Sequence, residues 1–150
     1  MKVRTLALVS LVGVAAAACN QAQASGPEVT AYVTPTCSCC AGWVEHMQDS
    51  GFTVNVVYQD DLTAIKDEHG VPRELRSCHL GVVDGYAIEG HVPADVVTRL
   101  LSERPEVVGL AVPGMPMGAP GMEMPGGRVD PYEVYTFDRT GPQAVYEMRQ

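Results

Sequence analysis

The chain has 150 residues, with 18 acidic against 10 basic side chains and a formal net charge of −8. Binding to phosphate backbones relies on concentrated positive charge, so this balance excludes nucleic acid as a partner. The length suits one domain of roughly 100 to 150 residues with a real apolar core and argues against a second.

In chain order, Lys2 and Arg4 precede an uncharged apolar run from Leu6 to Ala18, and small and polar residues follow. This is the layout of a secretory signal, and the run is shorter than the roughly 20 apolar residues a membrane span needs. Ala22-Gln23-Ala24 fits a small-residue cleavage site, whereas Ala17-Ala18-Cys19 would make a lipoprotein with Cys19 as its membrane anchor. Ala16 stands where lipoprotein signals carry a large aliphatic residue, so the expectation is simple export. Residues 1–24 are then the signal peptide and residues 25–150 the domain, working in the periplasm or beyond. The cut removes Lys2 and Arg4 and no acidic residue, leaving the domain more acidic than the whole chain.

Val29–Val33 is β-rich and runs into Thr34-Pro35-Thr36 and the cysteines, which predicts a strand feeding a loop. From Cys39 to Asp49 the apolar positions Trp43, Val44 and Met47 fit a helix that stops at Gly51. Phe52–Tyr58 alternates, with Phe52, Val54 and Val56 against Thr53 and Asn55, as a second strand. Asp60 or Asp61 is placed to cap a short helix ending at Gly70, and Val71-Pro72 begins another turn toward Ser77-Cys78-His79. Leu80–Val83 and Tyr86–Glu89 flank Asp84-Gly85, a pair suited to a two-residue turn because both central residues need positive φ. Pro93 opens a helix carrying Val96, Val97, Leu100 and Leu101 and ending near Pro105. Pro and Gly are dense from Pro113 to Gly127, which predicts a loop, and Tyr132–Phe137 with Ala144–Met148 predicts a terminal hairpin. The expected fold is α/β: a thioredoxin-like mixed sheet with flanking helices, a Met/Pro/Gly-rich loop and a C-terminal hairpin.

Cys37, Cys39 and Cys40 fall within four residues at a strand-to-helix junction. The unpaired N–H groups and partial positive charge of a helix N-terminus favour thiolate, the form that binds metal or attacks disulfides. Cys78 sits immediately before the hairpin, where it could complete the site. Thiolates suit soft ions, copper(I) or zinc, over magnesium or calcium. Met115, Met117, Met122 and Met124 lie within ten residues of the Pro/Gly-rich loop and favour copper(I), because zinc has little use for thioethers. The competing reading of that loop is a flexible flap with adaptable packing. His79 and His91 lie at the two ends of the hairpin, which should meet near the cysteines, and both are candidate ligands. His46 reads as a surface residue, His69 as a complement to a helix C-terminus, and Trp43 as core or a wall to the site. Asp60-Asp61 and Asp67-Glu68 read as solvated charge. A Cys37–Cys40 disulfide, structural or in a thiol–disulfide oxidoreductase, is the alternative use of the cysteines, and a zinc-binding structural module is another. No nucleophile–base–acid set, phosphate loop or paired-carboxylate motif stands out.

With these residues in view, the chain resembles the CopG-type family of periplasmic copper-resistance proteins. The matching segments are Thr34-Pro35-Thr36-Cys37-Ser38-Cys39-Cys40 with Trp43, Gly51-Phe52-Thr53-Val54, Gly70-Val71-Pro72 and Ser77-Cys78-His79. They continue through Gly85-Tyr86-Ala87-Ile88-Glu89-Gly90-His91-Val92-Pro93, Pro113-Gly114-Met115-Pro116 and Pro120-Gly121-Met122-Glu123. The resemblance implies a thioredoxin-like domain whose cysteines bridge a small multinuclear copper cluster, cycling between copper(I) and copper(II). It carries over Cys37, Cys39, Cys40 and Cys78 as principal ligands and His79, His91, Met115 and Met122 as further ones. Met117 and Met124 are additional to the motif. The implied partners are copper ions and other periplasmic copper-handling proteins.

Overall fold

The computed structural model describes residues 26–150, so the readings of residues 1–24 and Cys19 lie outside the described residues. The elements are β1 (Glu28–Val33), α1 (Ser38–Asp49), β2 (Thr53–Tyr58), α2 (Thr63–Glu68), a single 3₁₀ turn (Arg73–Leu75), β3 (Leu80–Val83), β4 (Tyr86–Glu89), α3 (Ala94–Glu103), β5 (Gly109–Ala111), β6 (Tyr132–Asp138) and β7 (Gly141–Arg149). They form one seven-stranded mixed sheet in the order β2-β1-β3-β4-β5-β6-β7. The β1/β2 and β4/β5 pairs are parallel and the rest antiparallel. Among the described residues no helix is long and apolar enough to cross a membrane.

Strand alternation assigns each side chain to one of two apolar clusters. Val29, Ala31, Val33, Val83, Ile88, Leu110 and Val134 join Cys40, Trp43 and Met47 of α1 and Ala94, Val96, Val97 and Leu100 of α3 in the larger. Leu80, Ala87, Ala111 and Phe137 join Val71 and Leu75 in the smaller, with Ile65 of α2 packed against it. Each fully buried Leu, Ile, Phe or Met contributes roughly 1.5–3 kcal/mol, so the first cluster anchors α1 and with it the cysteine loop.

The Asp84-Gly85 turn forms as expected, with φ of 51° and 88°. Four details differ from the sequence reading. The alternation assigned to β2 fails at Val56, which is 36% exposed because β2 is an edge strand with little packed over it. Pro93 is the cap before α3, with ψ of 145°, instead of its first residue. β5 was not foreseen, being only three residues long. His46 is no free surface ring, since its Nε2 accepts the backbone N–H of Ala94 at 3.0 Å and so caps α3.

Candidate metal centre

The end of β1 and the turn after it set the first three sulfurs. Cys37 N–H donates to Thr34 O at 3.2 Å, and Cys37 then occupies the N-cap of α1 in extended geometry without offering a side-chain hydrogen bond. No acidic residue stands in the first helical turn, so its backbone N–H groups and partial positive charge remain directed at the sulfurs. Cys40 is fully buried, whereas Cys37, Cys39 and Cys78 are partly exposed.

Cys78 reaches this loop from 39 positions further along the chain, and its Sγ lies 3.7 Å from Cys39 Sγ. Cys39 Sγ is 3.4 Å from Cys37 Sγ, and Cys40 Sγ is 3.8 Å from the Cys78 carbonyl oxygen. Cys37 and Cys40 are joined as a disulfide, leaving Cys39 and Cys78 as free thiols. All four sulfurs lie within 4.8 Å of one another.

Cys78 also belongs to a second donor group, with His79 and His91, whose ligand atoms again fall within 4.8 Å. The hairpin brings the two rings together edge to face at 4.9 Å. His91 Nδ1 is 2.8 Å from Pro120 O. A carbonyl only accepts, so Nδ1 carries the proton and Nε2 presents its lone pair to Cys78 Sγ, 3.0 Å away. His79 Nδ1 stands 3.4 Å from the same sulfur, while its Nε2 is buried without a partner. The Trp43 ring covers His79 at 4.5 Å and is itself fixed by donation from Nε1 to Val92 O at 2.9 Å. Trp43 is therefore both core and wall.

Burial, reinforced by the neighbouring Cys39, pushes the Cys78 thiol up to about 12. Burial holds His79 well below the ordinary imidazole range and lowers His91 too. Both rings are consequently neutral at neutral pH, the form that coordinates metal.

The Pro/Gly-rich loop contributes structure to the site. Gly42 and Gly121 meet face to face: a Cβ on Gly42 would lie 2.8 Å from Gly121 Cα, and one on Gly121 would lie 2.6 Å from Trp43 N. Gly121 has φ of 82°, so glycine is favoured there on both counts. This contact seats the Pro120 carbonyl over His91. Met122 is partly buried, and its carbonyl accepts from Gly118 N–H at 3.0 Å. Met115 is 55% exposed and lines a groove with Pro113, Pro116, Tyr132, Tyr135 and Met148. Met124 is 52% exposed and Met117 partly buried.

Two charged residues that sequence reasoning passed over stand behind Cys78. Lys66 and Glu89 form a buried ion pair at 2.6 Å, with side chains 5% and 0% exposed. The available signal was position: Lys66 falls on the Leu62/Ile65 stripe of α2, and Glu89 shares a sheet face with buried Ala87.

The family described as "Protein of unknown function, DUF411" matches residues 75–122, the segment holding Cys78, both hairpin histidines and the Pro/Gly-rich loop as far as Met122. Among solved structures, "Copper resistance protein copG- Form 2" is 41% identical with a TM-score of 0.78, and the match covers 83% of this chain and 99% of that one. "Copper resistance protein copG- Form 1" is 43% identical with a TM-score of 0.76, covering 81% and 96% respectively. No curated protein matches the chain.

Proposed function

We propose, from the premise that this chain belongs to the family of the copper resistance protein CopG, that it is an exported protein that binds copper(I) as cargo. The observation that carries the reading is the convergence of four cysteine sulfurs within 4.8 Å, with two neutral imidazoles sharing one of those sulfurs. Soft thiolate donors select copper(I) over hard cations, and bridging thiolates let four sulfurs hold more than one ion. In this reading Cys37, Cys39, Cys40 and Cys78 are the principal ligands. His91 presents Nε2, His79 is its neighbour in the second donor group, and Met115 and Met122 supply thioethers from the loop. Residues 25–150 are the mature periplasmic domain once 1–24 are removed.

The Cys37–Cys40 bond must open before all four sulfurs can act as thiolates. Two electrons and two protons from a thiol reductant convert the bridge to two thiols, and each thiol that then binds copper releases its one proton to water, however many ions its sulfur bridges. Protein expressed with copper and purified anaerobically should retain more than one ion per chain. Replacing Cys37, Cys39 and Cys40 together by Ser should abolish retention, and retention unchanged by the replacement would defeat the reading. Zinc at one equivalent in the native isolate would instead favour a structural zinc module.

The disulfide itself favours a second reading, thiol-based redox chemistry at Cys37 and Cys40. Two copper(II) ions, each accepting one electron from that dithiol, would leave two copper(I) ions, the disulfide and two protons. Insulin reduction that depends on Cys37 would support a general oxidoreductase, and inactivity of the reduced metal-free protein would rule it out.

A further inference from the structure

Lys66 and Glu89 lie on the α2 side of the sheet, and both of their charged groups converge on one backbone unit. Glu89 Oε1 accepts from Lys66 Nζ at 2.6 Å and from the Ser77 N–H at 2.5 Å. Lys66 Nζ donates in addition to the Ser77 carbonyl at 2.7 Å. The donor and the acceptor of Ser77 are thus both taken by buried side chains and not by a strand partner. Ser77 Oγ completes the arrangement by donating to Gly114 O at 2.5 Å, which ties the Pro/Gly-rich loop to the same residue.

A buried ion pair is a poor device for stability, since desolvating two charges offsets most of their attraction. Its value here is geometric. Ser77 directly precedes Cys78, and Glu89 is two residues before His91, so one carboxylate spans both segments of the Cys78–His79–His91 donor group. Cys78 itself has no strand partner, because β3 begins only at Leu80.

We infer that the Lys66–Glu89 pair is a positioning device that clamps Ser77 and so fixes Cys78 Sγ against the Cys37–Cys40 loop and the His91 ring. The role in metal binding rests on the copper reading above, whereas the clamping of Cys78 does not. Losing a partner that orients a metal ligand commonly weakens affinity about 10- to 100-fold. Glu89→Gln and Lys66→Met, as reduced metal-free proteins titrated with copper(I) against a chromogenic copper(I) chelator, should each lose affinity in that range while circular dichroism is unchanged. In a Cys78→Ser background the same substitutions should cost nothing further, because their effect passes through Cys78. An equal loss in both backgrounds, or none in either, overturns the inference.

A metal-free arm separates the clamp from the copper reading. Iodoacetamide should alkylate Cys78 faster in both variants than in the parent, with Cys39 as the internal standard, and unchanged relative rates also overturn the inference. A parent chain that takes up no copper defeats the functional reading alone, and the alkylation rates still decide the clamp.

Discussion

Cys78 Sγ is the atom that two donor groups share, and its environment sets the terms on which metal can bind. A thiol held near 12 remains protonated at neutral pH, so an incoming soft cation has to displace that proton. Copper(I) affinity should therefore rise with pH, by up to about ten-fold per unit for this one proton, and chelator competition across neutral pH reads the slope directly. His79 gives the empty fold a pH dependence of the same sign. Its folded-state pKa lies well below the unfolded value of 6.5, so below that pH the unfolded chain binds the extra proton. Stability is full above pH 6.5 and falls as the pH drops toward the folded value, by up to about 1.4 kcal/mol per unit. Urea unfolding of the metal-free protein at about pH 7.5 and about pH 5.5 should show this loss, and His79→Asn should show less of it. The sequence made Cys78, His79 and His91 legible because cysteine and histidine declare their chemistry by type. It hid Lys66 and Glu89 because charged residues are ordinarily solvated, and only their register with apolar neighbours marks them as buried.

At the level of elements, the loop from Pro113 to Gly127 does more than carry methionines. Its Gly121 packs against Gly42 of α1, and through Pro120 it dictates which nitrogen of His91 holds a proton. Gly42→Ala should wedge the loop off the helix. The expected result is a destabilisation of about 1–3 kcal/mol, as for other overpacked contacts, with weaker copper retention; equilibrium unfolding and metal analysis measure the two separately. The α1–α3 junction offers a second test. His46→Ala removes the acceptor for Ala94 N–H and should cost about 1 kcal/mol, the usual worth of a helix cap, without altering metal content. The β3–β4 hairpin was legible from Asp84-Gly85 because its turn demands residues tolerant of positive φ. β5 was not, since Gly109–Ala111 carries too few residues to show a period. Met115 shows the limit of reading a loop by composition, because thioether count says nothing of which side chain turns toward the groove by Tyr132, Tyr135 and Met148.

Across the molecule, the two halves of the site come from parts of the chain that share no local structure. The β1–α1 junction supplies three sulfurs, and the segment before β3 supplies the fourth together with His79, at a separation of 39 residues from Cys39. Protein kept oxidised at Cys37–Cys40 should take up less copper than protein treated with a thiol reductant, and metal analysis of the two preparations after desalting checks this. The sequence could place the three clustered cysteines at a helix start, but the approach of Cys78 depends on sheet order, with β1 between β2 and β3, which no local pattern encodes. An ion gripped from both sides would act as a staple between the first third of the described chain and its middle. Heating should then part the loaded form at a higher temperature than the empty one. Discharge of the cargo would be timed by how often those two stretches of backbone breathe apart, so a tight grip and a quick handover pull against each other in the same few ångströms.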